Sequence, residues 1–174
     1  GMDVIIMLRN HDYLRTPRIG LDIDDVICDF IGHWTKHHNQ EVPEFWDFDR
    51  QIAAKFEILK DDEDFWMSIP PKIKASELKF QPVCFITSRN IDTSITEKWL
   101  DKHGFPAVPV YTLGHGMSKV ETAKKANLDW FVDDRHDNFI QLNRAAIHCY
   151  LMDAEHNRRF EVGNRRIYSL SELL

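Results

Sequence analysis

A short apolar run ending in two carboxylates, Ile19-Gly20-Leu21-Asp22-Ile23-Asp24, constrains this chain more than any other segment. Side chains alternate along a strand, so Asp22 and Asp24 face the same way if the strand runs through them. A turn there can aim both into one cleft. Two carboxylates that close repel unless a cation stands between them or one keeps its proton. A hard divalent cation such as Mg²⁺ takes oxygen ligands and keeps waters and a phosphate in its shell. A surface turn of solvated aspartates needs no apolar lead-in, which weighs against that simpler reading.

A second apolar run, Leu128-Asp129-Trp130-Phe131-Val132, also ends in adjacent carboxylates, Asp133 and Asp134. Between the two lies Val83-Cys84-Phe85-Ile86, which ends in Thr87, Ser88 and Arg89. Lys119 opens a helical stretch just before the second acidic pair. In open α/β sheets, ligands bind outside the carboxyl ends of the parallel strands, where such residues can meet. Carboxylates, hydroxyls, a lysine and a second carboxylate pair are the parts of a metal-assisted phosphoryl-transfer site.

This order resembles the haloacid dehalogenase superfamily of phosphohydrolases from about Arg18 to the C-terminus. Asp22 and Asp24 match its D-x-D motif, Thr87 its strand-end hydroxyl, Lys119 its lysine, and Asp133 with Asp134 its acidic motif. Within the superfamily the chain is most similar to the 5'(3')-deoxyribonucleotidases, through Asp22 to Phe30, Phe65-Trp66 to Pro70-Pro71, Ile86-Thr87-Ser88 and Val132 to Arg135. The resemblance implies an α/β fold, a parallel sheet flanked by helices with a small helical cap inserted after the first strand. The expected division is an extension over 1–17, a core over 18–29 and 76–174, and a cap over 30–75.

The resemblance also implies roles. Asp22 is the expected nucleophile, and Asp24 the acid and base. Asp22, Asp133, Asp134 and the main-chain carbonyl of Asp24 are the expected Mg²⁺ ligands. Thr87, Ser88 and Lys119 are expected to hold phosphate, and Phe30, Arg89, Trp46 and Trp66 to contact substrate. The expected substrate is a small phosphorylated molecule, a (deoxy)nucleoside monophosphate first. Another small metabolite or a polynucleotide end would suit the same motifs. A non-catalytic binding member of the fold would be expected to lack the nucleophile.

Four departures bear on specificity. Asp25 stands where the family usually carries Gly, and is expected to be an exposed turn residue. Ile91 stands where the deoxynucleotidases carry a lysine, with Arg89 as the substitute cation, and Met117 replaces an arginine near the motif lysine. The cap is also shorter.

Composition agrees with one folded enzyme domain. The chain has 174 residues, 43% of them hydrophobic, and a net charge of -6. That hydrophobic share argues against disorder, and the charge argues against a double-stranded nucleic acid partner. Val4 to Leu8 is too short to span a bilayer, and no signal peptide is read, so a cytoplasmic protein is expected. Cys28, Cys84 and Cys149 all lie in or beside apolar segments and are expected as buried free thiols. His33 and His37 have the spacing of a helical metal pair but lack a set to complete it. His115 is expected to be a loop residue.

Periodicity places five strands, at 19–23, 83–86, 108–111, 130–132 and 147–151. Helices are expected at 29–39, 92–103, from Ser118, at 138–146 and at 169–174. Gly104 should close the second of these, and a Ser118/Glu121 capping box should open the third.

Overall fold

The computed structural model describes residues 16–39, 55–114 and 116–174. The expectations for Trp46, for His115 and for most of the N-terminal extension fall outside these residues.

Six strands form one sheet: β1 (Ile19–Leu21), β2 (Cys84–Thr87), β3 (Val110–Thr112), β4 (Trp130–Asp133), β5 (His148–Met152) and β6 (Arg166–Ile167). Their order is β3-β2-β1-β4-β5-β6, and every neighbouring pair is parallel. The order reverses between β1 and β4, which opens the crevice where ligands bind in such sheets. The parallel α/β architecture is the one expected.

The helices are α1 (Phe30–His37), α2 (Glu63–Met67), α3 (Thr93–Lys102), α4 (Val120–Lys125) and α5 (His136–Arg144). Successive strand residues enter opposite hydrophobic clusters. Leu21, Phe85 and Val132 pack with α1, α2 and α3, whereas Cys84, Ile86 and Phe131 pack with Ala123 of α4 and Phe139 and Leu142 of α5. The central strands are therefore buried on both faces, as parallel sheets with crossover helices require. Gly20 in β1 permits this packing, because a Cβ there would stand 2.5 Å from a Leu128 methyl carbon.

The described part of the segment between β1 and β2 carries α1 and α2. Asp29 caps α1 by accepting from the Gly32 amide at 3.0 Å, and Asp62 caps α2 by accepting from the Phe65 amide at 3.1 Å. The two connections to this insert run side by side. The Asp29 amide donates to the Pro70 carbonyl and the Lys72 amide to the Ile27 carbonyl, each at 2.8 Å. Trp99 in α3 ties the insert down by donating from Nε1 to the Ile69 carbonyl at 2.9 Å.

Some local expectations need correction. The strand β6 was not foreseen, because two residues with one apolar side chain carry no alternation. The terminal helix is a single 3₁₀ turn, Leu170–Glu172. The Ser118/Glu121 capping box does not form. Helix α4 begins later, at Val120, whose amide donates to Ser118 Oγ, and Glu121 pairs with Lys125 at 3.2 Å. Gly104 does close α3, at a φ of +76°. Cys28, Cys84 and Cys149 are buried free thiols. Among the described residues, no helix is long and apolar enough to cross a membrane.

Candidate active site

The carboxyl ends of β1, β2 and β4 are adjacent in the sheet, so the residues that follow them meet. Asp22 directly follows β1, and its amide donates to the Val132 carbonyl at 3.0 Å, extending the β1–β4 ladder by one residue. Asp133 ends β4, and Asp134 follows it. One carboxylate oxygen from each of Asp22, Asp133 and Asp134 lies within 4.8 Å of the others, and all three residues are buried.

Lys119 reaches this cluster from the N-terminal edge of α4. Its Nζ stands 3.0 Å from Asp22 Oδ1 and 2.9 Å from Asp133 Oδ2. Asp133 accepts two further bonds, from Asn138 Nδ2 at 3.1 Å and from the Arg135 amide at 2.9 Å. Asp134 Oδ2 accepts from His156 Nε2 at 2.9 Å.

Electrostatics show what the cluster lacks. Burial pushes the Asp22 carboxyl well above its ordinary range, and Asp133, Asp134 and Asp24 push it further while Lys119 opposes them. Burial also raises Asp133, against the pull of Lys119. Burial acts to raise Asp134 as well, but the bond from His156 and a bond from Asp22 outweigh it and leave Asp134 below the ordinary range. Burial works against the charge on Lys119, yet Asp133 and Asp22 hold its ammonium in the charged form. One lysine thus faces three buried carboxylates. A hard divalent cation with oxygen ligands fits this donor set, both in chemistry and in the charge it would bring.

Asp24 faces elsewhere. Both of its carboxylate oxygens pair with Arg89, Oδ2 with Nε at 3.2 Å and Oδ1 with Nη2, and Oδ1 also takes a weak bond from Cys28 Sγ at 3.4 Å. Arg89 is buried, and its guanidinium lies 4.8 Å from the centre of the Trp66 ring. Its Nη1 has no hydrogen-bond partner among the described residues. Phe30 also stacks on Trp66, its ring centre 5.8 Å away at an interplanar angle of 6°. Phe30 and Trp66 are only 5% and 1% exposed, so in this conformation they present little ring surface to a ligand.

Thr87 is buried at the end of β2, where its Oγ1 accepts from the Arg89 amide at 3.0 Å, and Ser88 is half-buried beside it. Asp25 is not the exposed turn residue expected. It is 5% exposed, with a φ of +64°, and its Oδ1 accepts from the Ile31 amide at 3.0 Å. Its carbonyl accepts from Lys72 Nζ at 3.0 Å. Aspartate tolerates this left-handed backbone better than most residues, which is how it stands where glycine is usual. His33 Nε2 is engaged by the Phe65 carbonyl at 3.0 Å and Ser68 Oγ at 3.1 Å.

Sequence reading missed three residues around the cluster. Asn138 follows the acidic pair by one helical turn, a spacing that could have flagged it. His156 and Asn157 lie beyond β5, where nothing local marks them.

Residues of this chain align with a nucleotidase of Clostridium acetobutylicum at 35% identity over 78 residues. The chain is similar to a nucleotidase. The match spans 44% of this chain and 40% of that protein. A 2-haloacid dehalogenase from Pseudomonas syringae pv. Tomato is similar in structure, with a TM-score of 0.49 and 13% identity, over 91% of this chain and 96% of that one. No protein-family model matches the chain. The nucleotidase match agrees with the nucleotidase likeness read from the motifs, and Asp22, Lys119, Asp133 and Asp134 come together at the carboxyl ends of β1 and β4.

Proposed function

We propose that this chain is a Mg²⁺-dependent phosphomonoester hydrolase that works through an aspartyl-phosphate on Asp22, with nucleoside monophosphates as substrates. The observation that carries this reading is the buried triad of Asp22, Asp133 and Asp134 with Lys119 between two of its members. Asp22 and Asp134 would ligate the cation. The Asp133 oxygens are already engaged by Lys119, Asn138 and the Arg135 amide, which suits a ligand acting through water. The main-chain carbonyl of Asp24 is proposed to complete the protein's share. When bound, Mg²⁺ would neutralise the repulsion between a phosphate dianion and the carboxylates.

The chain's own groups would then divide the work. Asp22 attacks phosphorus and forms the acyl phosphate, and the P–O bond to the alcohol breaks. Asp24 gives the departing oxygen a proton, then takes one from the water that attacks the acyl phosphate. Arg89 holds the Asp24 carboxylate at two points at the cleft edge, and Asp24 would give up one of these contacts to carry the proton. Thr87, Ser88 and Lys119 receive the phosphoryl oxygens. Nη1 of Arg89, which has no hydrogen-bond partner among the described residues, supports a direct contact with substrate as well.

The nucleotide preference rests on the nucleotidase similarity. Phe30 and Trp66 are proposed as the inner wall of the pocket, with Trp66 supporting the Arg89 guanidinium. The helical insert over 30–75 is proposed as the cap that excludes water.

A phosphate-release screen over nucleoside monophosphates, sugar phosphates and an aryl phosphate tests this reading, with Mg²⁺ and with excess chelator. Release that needs Mg²⁺ and is fastest with nucleotides is expected. Full activity in chelator would overturn the metal-dependent reading. A clear preference for sugar phosphates would overturn the nucleotide assignment and leave the phosphatase reading intact.

A further inference from the structure

The turn after β5 reaches across to the acidic pair. His156 and Asn157 are buried in a short 3₁₀ turn, Glu155–Asn157, and its side chains converge on Asp134 from two directions. His156 Nε2 meets the carboxylate at 2.9 Å, while Asn157 Nδ2 donates to the Asp134 main-chain carbonyl at 2.7 Å and to the Met152 carbonyl at 2.8 Å. Asn157 is itself held by Arg166 of β6, whose Nη1 donates to Asn157 Oδ1 at 2.6 Å and to Asp153 Oδ1 at 3.0 Å. Both the backbone and the side chain of Asp134 are thereby fixed by residues 22 and 23 positions away.

We propose, resting on the metal-dependent reading above, that His156 is a positioning residue for the metal ligand Asp134, holding one carboxylate oxygen so that the other is presented to the cation. A buried carboxylate beside two others tends to rotate away from its neighbours or to keep a proton, and either outcome removes a metal ligand. A donor from the chain on Oδ2 prevents both. Partners of this kind behind a metal ligand are typically worth about 10–100-fold in metal affinity. Asn157 serves as the anchor that keeps the His156 turn in place.

The test is Mn²⁺ binding to the whole chain, followed by the loss of the free-ion electron paramagnetic resonance signal, with no substrate present. His156→Ala is expected to weaken Mn²⁺ binding about tenfold or more. His156→Gln, whose amide nitrogen can take the place of Nε2, is expected to recover most of the loss. His156→Asn, too short to reach Asp134, is not. Wild-type affinity in a folded His156→Ala variant would overturn the proposal. If His156→Ala does not fold, equal Mn²⁺ affinities for the glutamine and asparagine variants would overturn it. Absence of Mn²⁺ binding by the wild type would instead overturn the metal-dependent reading itself.

Discussion

Arg89 grips both carboxylate oxygens of Asp24 from 65 residues away in the sequence. The Arg89 side chain is almost wholly enclosed, while that of Asp24 is 21% exposed, so the pair joins a buried anchor to a carboxylate at the cleft edge. A planar guanidinium makes this two-point contact and an ammonium does not. Arg89→Lys is therefore expected to lower kcat by about 100-fold on nucleotides and on a small aryl phosphate alike, as misplacement of a catalytic group does. Steady-state kinetics on both substrates check it. An unchanged kcat would separate Arg89 from the chemistry.

Asp22→Asn is expected to abolish phosphate release, because the amide cannot form the acyl phosphate. It is not expected to destabilise the metal-free fold. Burial holds the Asp22 carboxyl well above its ordinary range, so the ionised side chain opposes folding at neutral pH. Phosphate-release assays and thermal unfolding in chelator measure the two halves. Wild-type turnover, with mass spectrometry confirming that the asparagine is intact, would exclude the aspartyl-phosphate route.

Mg²⁺ should stabilise the protein more at high pH than at low. Burial raises Asp22 and Asp133 in the metal-free fold. Their contribution to stability is therefore full below the unfolded carboxyl pKa and is lost as pH rises through the raised folded values. Mg²⁺ competes with those same protons. The rise in Tm on adding Mg²⁺ is expected to be small at about pH 5 and larger at about pH 8. Thermal scans across that range check it. A gain that is equal at both ends would remove these carboxylates as the ligands.

Phe30→Ala should cost about 3–5 kcal/mol of stability, the usual range for a buried phenylalanine. The ring is enclosed between Trp34 and Trp66. Urea unfolding measures the loss, and a cost under about 1 kcal/mol would mean that the ring is not packed this way. The milder Phe30→Leu variant separates packing from recognition. Equal effects on nucleotide and aryl phosphate hydrolysis are expected if Phe30 acts through Trp66 and Arg89, and a loss confined to nucleotides would assign it a direct contact with the base.

Much of the site was legible before the fold was known. Asp22, Thr87, Asp133 and Asp134 sit at or just past the end of short apolar runs, and such runs become parallel strands whose carboxyl ends share one edge. Local pattern marked Asp22, Thr87, Asp133 and Asp134 as strand-end residues, and the motif resemblance added Lys119. Helices α1 and α3 were equally legible, because Asp29, Asp92 and Gly104 act on their own neighbourhoods.

What tertiary structure alone decided is which partners those side chains take. Alternation in a strand implies that Asp22 and Asp24 share a face, yet β1 ends at Leu21 and the chain turns. Asp22 joins the acidic cluster, and Asp24 goes to Arg89. Asp25 looked like a solvated turn residue because a carboxylate usually is one. It is buried because the amide of Ile31 at the start of α1 needs an acceptor there. The roles of His156 and Asn157 carry no local signature. A hydrogen bond across 22 residues depends on where β4 and β5 lie in the sheet, and that placement is set by the packing of the whole core.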